Sequence, residues 1–243
     1  AGVVDLVGAG SCCFYLERVC MKVKAIVLAA GQGTRMNSPL PKVMHPICGQ
    51  PMVCILLKSI ENCAISDITV VVGPDMDMVS KAVHPYPSVI QHDRLGTAHA
   101  VLAARSAIQP FDGCALILFG DSPLIQPKTL LRMIGKYQSG VDVCVLGFIP
   151  EDPRRYGRLI MGPDGLEGIV EYKDATDEQR AIKLCNSGFM CVNGRHLLPL
   201  LEQVQNQNAA GEYYLTDIVA LARKAGLKCD VAIGDVDELH GVN

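Results

Sequence analysis

From Met21 onward, short runs that are apolar on both faces alternate with stretches of helical periodicity, and few architectures accept that pattern. Val23–Ala29, Asp67–Gly73, Ser88–His92 and Cys114–Gly120 are the apolar, β-branched-rich runs. Pro51–Cys63, Asp75–Val83 and Gly96–Gln109 are the helical stretches between them. A strand apolar on both faces has to be covered on both, and helical crossovers make its neighbours parallel. The expected fold is therefore α/β, a Rossmann-like doubly wound sheet, mixed but mostly parallel. After Asp121, Pro127–Tyr137 reads as a helix and Val141–Ile149 as a strand. The pattern then changes: Gly157–Met161 and Leu166–Tyr172 flank a Gly162-Pro-Asp-Gly165 turn and read as a hairpin, a small β-rich insertion. Helices are expected again at Arg195–Gln205 and Thr216–Ala225, then a strand at Cys229–Gly234, with Asp237–Asn243 doubling back.

Several classes are excluded. A net charge of −3 over 243 residues argues against a dedicated nucleic-acid binder, which carries a basic excess. The longest stretch without Asp, Glu, Lys or Arg, Val43 to Leu57, is broken by Pro46, Gly49 and Pro51, so no membrane span is expected. Eleven cysteines with no C-x-x-C pair, lying in apolar runs such as Cys114-Ala-Leu-Ile-Leu, read as reduced thiols filling a core. That implies a reducing, cytoplasmic setting. Ala1 to Cys20 sustains no period, lacks the basic start of a secretory signal, and is expected to be a leader or cloning-derived stretch without a catalytic role. Residues 21–243 then form the working domain.

In a doubly wound sheet, ligands bind beyond the carboxyl ends of the strands. Leu28-Ala-Ala-Gly-Gln-Gly-Thr-Arg35 follows the first strand directly. It is neither a Walker loop nor the dinucleotide fingerprint, since Met36 stands where a third glycine belongs. The glycines alone read as a turn, but Arg35 and Lys42 beside them suit polyphosphate oxygens; as solvated surface charges they would do nothing. Phe119-Gly120-Asp121 ends another strand, where an aspartate can hold a hard cation such as Mg²⁺ or serve a turn. Gln91, with Leu95-Gly96-Thr97 behind it, offers a donor and an acceptor to a base edge, or a simple helix start.

In combination these pieces carry a resemblance. Leu28-Ala-Ala-Gly-x-Gly-Thr-Arg-Met36 with Leu40-Pro-Lys42 is similar to the opening of sugar-1-phosphate nucleotidyltransferases. Gln91…Leu95-Gly96-Thr97, Gly120-Asp121-x-Pro-Leu, Tyr156-Gly157-Arg158, Ile169-Val-Glu171-x-Lys-Asp-Ala-Thr176, Asn186-Ser-Gly188 and Gly211-Glu-Tyr-Tyr-Leu-Thr-Asp217 follow in order. The set, from Met21 to Asn243, resembles the uridylyltransferase domain of bacterial bifunctional enzymes that make UDP-N-acetylglucosamine for peptidoglycan and lipopolysaccharide.

The resemblance implies the nucleotide-diphospho-sugar transferase fold, with UTP and N-acetylglucosamine 1-phosphate as partners and Mg²⁺ as cofactor. Leu28, Ala29, Ala30, Gly31, Gln91, Gly96 and Thr97 would hold the uridine, and Phe119 and Gly120 would also bind substrate. Arg35 and Lys42 would be catalytic, binding the triphosphate and the departing pyrophosphate. Asp121 and Asn243 would ligate Mg²⁺, and Gly157, Glu171, Asn186 and Thr216 would bind the sugar phosphate. The histidines receive no catalytic role. Two departures stand out: Gln32 replaces a lysine common in the family, and the hexapeptide repeats of the β-helical acetyltransferase domain are absent. Acetyl transfer is therefore not expected, and the chain is expected to be a monomer or weak oligomer. The alternatives are a relative using another nucleotide or sugar, or a non-catalytic pyrophosphorylase-like subunit; the latter would be expected to have lost its phosphate ligands.

Overall fold

The computed structural model describes residues 21–33 and 36–239. Arg35, Asn243 and the first twenty residues, all of which figure in the expectations above, lie outside the described residues. The chain opens with β1 (Val23–Leu28), a single 3-10 turn (Lys42–Met44), the small hairpin of β2 (Pro46–Ile47) and β3 (Gln50–Pro51), and α1 (Met52–Glu61). Next come β4 (Asp67–Val72), α2 (Asp77–Ala82), β5 (Ser88–Ile90), α3 (Thr97–Ala103), α4 (Arg105–Ile108), β6 (Cys114–Phe119), α5 (Pro127–Gln138) and β7 (Val143–Phe148). The second half holds the hairpin β8 (Arg158–Gly162) and β9 (Gly165–Val170), then α6 (Asp177–Arg180), β10 (Cys185–Asn193), α7 (Gly194–Leu201), α8 (Asp217–Lys224), β11 (Cys229–Ile233) and α9 (Val236–Leu239).

Among the described residues the main sheet runs β11-β7-β10-β6-β1-β4-β5, with β8 and β9 joined beside β10. β1 pairs in parallel with both β4 and β6, β4 with β5, and β11 with β7, while β10 runs antiparallel between β6 and β7. The period of two along each strand divides the core. Ala25 and Val27 face α1 and α5 through Leu56, Ile60, Leu130 and Met133; Ile26 and Leu28 face α3, α7 and α8 through Val101, Leu197 and Ile218. The mostly parallel, doubly covered sheet matches the expectation, as does the hairpin.

Two sequence-based boundaries are corrected. The single helix expected at Gly96–Gln109 is two helices, because Ala104, at ψ 18°, interrupts the ladder between them. No strand is expected from the sequence between Tyr172 and Arg195, yet the nine-residue strand β10 lies there, between β6 and β7. Its register shifts between Asn186 and Met190, and Gly188 has φ +92°, so the turn residues mark a bulge inside a strand.

The described cysteines are all free thiols, and Cys63, Cys114, Cys144, Cys185, Cys191 and Cys229 are buried. Burial pushes the Cys144 thiol up to about 12, which leaves it a small apolar core residue. Cys48 departs from that pattern and is exposed at the tip of the β2–β3 hairpin. Among the described residues no helix is long and apolar enough to cross a membrane.

Candidate active site

β4 and β5 lie to one side of β1 and β6 to the other, so the winding reverses beside β1. The crevice at that reversal opens at the carboxyl ends of the strands. The turn after β1 and the turn after β6 meet there, since Gly120 N–H donates to the Leu28 carbonyl at 2.9 Å. Across the crevice Lys42 Nζ lies 2.7 Å from Asp121 Oδ2, with the lysine side chain 14% and the aspartate 29% exposed. Gly33 makes this approach possible. Its φ is +65°, and a Cβ there would stand 2.6 Å from the Lys42 Cβ.

Two cavities share this ion pair. The first, about 270 Å³, is lined by Leu28, Ala30, Gly31, Gln91, Gly96 and Thr97 together with Lys42, Phe119 and Asp121. The second, about 250 Å³, runs from Lys42, Phe119 and Asp121 to Tyr156, Gly157, Glu171, Asn186 and Gly188. Residues scattered from position 28 to 188 thus become one continuous cleft. Ala29 and Gly120 stand behind its wall: Ala29 N–H donates to the Val71 carbonyl, and Gly120 packs against Val43.

The polar groups are already oriented. Gln91, 4% exposed, places its Nε2 at 3.2 Å from the Gly96 carbonyl and 3.3 Å from His99 Nδ1, which leaves its Oε1 for a ligand. Gly96 has φ +124° and lies against Tyr213, whose carbonyl oxygen would be 2.5 Å from a Cβ. Thr97 Oγ1 accepts the Leu215 N–H at 2.9 Å, so the segment before Thr216 is tied to the first cavity. On the other side, Asn186 Oδ1 accepts the Gly188 N–H at 2.9 Å and leaves its NH₂ to donate. The Thr216 hydroxyl is buried without a hydrogen-bond partner among the described residues.

Burial pushes the Glu171 carboxyl above its ordinary range, and the nearby Asp174 and Asp217 add to the rise. A carboxyl raised in the folded state stabilises fully below its unfolded value, about 4.3, and loses that contribution as pH rises through the folded value. Glu171→Gln is therefore expected to melt as the native chain does near pH 4 and above it at pH 7.5, in melts run across that range. A difference constant with pH would show that Glu171 carries no such penalty.

Sequence reasoning missed several lining residues. Arg94 and Glu212 line the first cavity, and Ser122, Arg155, Ser187 and Leu239 the second. Arg94 was detectable as a cation three residues after Gln91 in a polar loop; Leu239 was not, because only the sheet brings α9 to the cleft.

Residues 25–220 match the family model of the MobA-like NTP transferase domain. The chain belongs to that family. Among its relatives, the bifunctional protein GlmU of Rhodospirillum rubrum is 58% identical over 224 residues, 91% of this chain and 50% of the relative. The bifunctional protein GlmU of Paramagnetospirillum magneticum is 56% identical over the same length and shares. This NTP transferase chain spans about half the length of those relatives. A solved structure titled a putative glucose-1-phosphate thymidylyltransferase from Bacillus anthracis, in complex with a sucrose, has a TM-score of 0.69 at 20% identity. It covers 88% of this chain and 87% of its own, and the two share the fold.

Proposed function

We propose that this domain transfers the uridylyl group of UTP to N-acetylglucosamine 1-phosphate, releasing pyrophosphate and forming UDP-N-acetylglucosamine. The observation that carries the reading is the cleft itself: two cavities of nearly equal size that meet at the Lys42–Asp121 pair. The nucleotide occupies the side with Gly31, Gln91, Gly96 and Thr97, and the sugar phosphate the side with Gly157, Glu171, Asn186 and Thr216. The Asn186 NH₂ suits the acetamide carbonyl, and the Glu171 carboxylate suits a sugar hydroxyl. The strong identity to GlmU proteins supports the same assignment.

A phosphate oxygen of the sugar 1-phosphate attacks the α-phosphorus, and the bond from that phosphorus to the β-phosphate oxygen breaks. The attacking oxygen is anionic at neutral pH, so no general base is needed. The barrier lies in bringing two polyanions together, which positioned cations and backbone dipoles lower. Lys42, with Arg35, neutralises charge on the departing pyrophosphate, and the open backbone at Gly31 lets phosphate approach closely.

The donor set also fits Mg²⁺. Among the described residues no three His, Cys, Asp or Glu side chains could hold a metal together, whereas Asp121 offers one hard carboxylate at the shared mouth. A cation that takes one or two protein ligands and completes its shell from phosphate and water suits that arrangement, with Asn243 as the proposed second ligand. Bound there, Mg²⁺ would screen the charge of the triphosphate.

Pyrophosphate release from UTP and N-acetylglucosamine 1-phosphate tests the reading, beside parallel reactions with glucose 1-phosphate and with dTTP. The expected result is a much higher kcat/KM for the proposed pair, because polar groups built to meet a substrate reject an analogue that leaves them unpaired. Comparable values for either analogue would overturn the assignment.

A further inference from the structure

Arg94 stands in the nucleotide cavity with no role in the reaction described above. Its Nε donates to the Ala30 carbonyl at 2.9 Å, which anchors the guanidinium on the turn after β1. The group lies over Gly73, at the end of β4, where a Cβ would be 2.3 Å from one terminal nitrogen. No carboxylate among the described residues pairs with it within 4 Å, so it is a cation held by neutral backbone.

Its place in the sheet tells which part of a nucleotide it meets. The phosphate-binding pair, Lys42 and Asp121, sits where β6 ends, whereas Gly73 ends β4 on the far side of β1. Adjacent strands are about 4.8 Å apart, so Arg94 is displaced roughly 10 Å along the sheet from Asp121. It shares that end of the cavity with Gln91 and Gly96.

The two side chains present opposite hydrogen-bonding characters. Gln91 has its Nε2 turned to Gly96 and His99, so only its carbonyl oxygen remains to accept. A guanidinium can only donate. Uracil offers an N3–H flanked by carbonyls, a donor beside acceptors. Cytosine reverses the pattern, with an acceptor at N3 beside an amine.

We infer that Arg94 is a further residue selecting uracil over cytosine, donating to the 4-carbonyl, where cytosine carries its amine, beside Gln91, which accepts the N3–H. Cytosine at the same place sets its amine against the guanidinium and leaves the Gln91 oxygen without a donor. The inference rests on the assignment of this cavity to the nucleotide.

Calorimetric titration of UTP and CTP tests it with the native chain, Arg94→Met, Arg94→Lys and Gly73→Ala. Gly73→Ala leaves Arg94 in the sequence and removes space from its guanidinium; the backbone at position 73 does not require glycine. The native chain should prefer UTP. In Arg94→Met and Gly73→Ala that preference should fall roughly 10- to 100-fold, through weaker UTP binding with CTP little changed. Arg94→Lys should retain part of it. Equal loss for both nucleotides would show that Arg94 only props the Ala30 turn or meets a phosphate, and would overturn the inference, as would a native chain with no preference. Arg94-dependent preference in a protein that makes no nucleotide sugar would overturn the proposed reaction and leave base selection standing.

Discussion

Lys42→Ala is expected to lower kcat/KM by about 10²–10³, the range for removing one group that stabilises developing charge. The ammonium occupies the mouth common to both cavities, 2.7 Å from Asp121, where the bond between α- and β-phosphates would be broken. The fold should survive. The turn that carries Lys42 is made by backbone, with Met44 N–H on the Pro41 carbonyl and His45 N–H on the Lys42 carbonyl, and alanine keeps both. Asp121 retains enough exposure to be hydrated once its partner is gone. Steady-state kinetics beside a thermal melt separate the effects. Unchanged activity would remove Lys42 from the chemistry, and a collapsed melting transition would make its role structural.

The largest loss of stability is expected from Arg158→Met. Arg158 is only 2% exposed, and among the described residues its guanidinium has no carboxylate partner; it donates instead to the main-chain carbonyls of Arg154, Tyr156 and Arg180. Those bonds fold the 153–157 segment over the start of β8 and carry Gly157 to the sugar side of the cleft. Methionine fills part of the volume but leaves several buried carbonyls without donors. Each unmet group costs about 1–3 kcal/mol, with incomplete additivity, so the net loss should be about 3–4 kcal/mol. For a chain of this size that lowers the melting temperature by roughly 10 °C. The KM for the sugar phosphate should rise as well, because Gly157 loses its support. A melting temperature within about 2 °C of native would mean that water or a relaxed loop replaces the guanidinium.

Arg158 also shows where sequence reading stops. It was visible as part of Tyr156-Gly157-Arg158, but an arginine is ordinarily exposed or paired with a carboxylate, and nothing local announces one that is buried among carbonyls. Two of its N–H groups donate to the Arg180 carbonyl, twenty-two positions away, and only the fold brings that carbonyl over them.

The residues alone determined whatever depends on near neighbours along the chain. Periodicity settled the alternation of strands and helices, since a run apolar on both faces leaves few ways to exclude water. Gly162-Pro-Asp-Gly165 settled the β8–β9 hairpin, a local matter of turn chemistry. Tertiary structure decided what depends on which strands become neighbours. The insertion of β10 antiparallel between β6 and β7 comes from pairings across the sheet, and its Asn-Ser-Gly bulge gives a turn signal that is locally indistinguishable from a loop. The same pairings bring Lys42 onto Asp121, tie Thr97 to Leu215, and set Arg94 on Ala30. Hydrogen bonds and charges act over a few ångströms, whereas these partners are 64 to 118 positions apart, so only the folded sheet makes them neighbours.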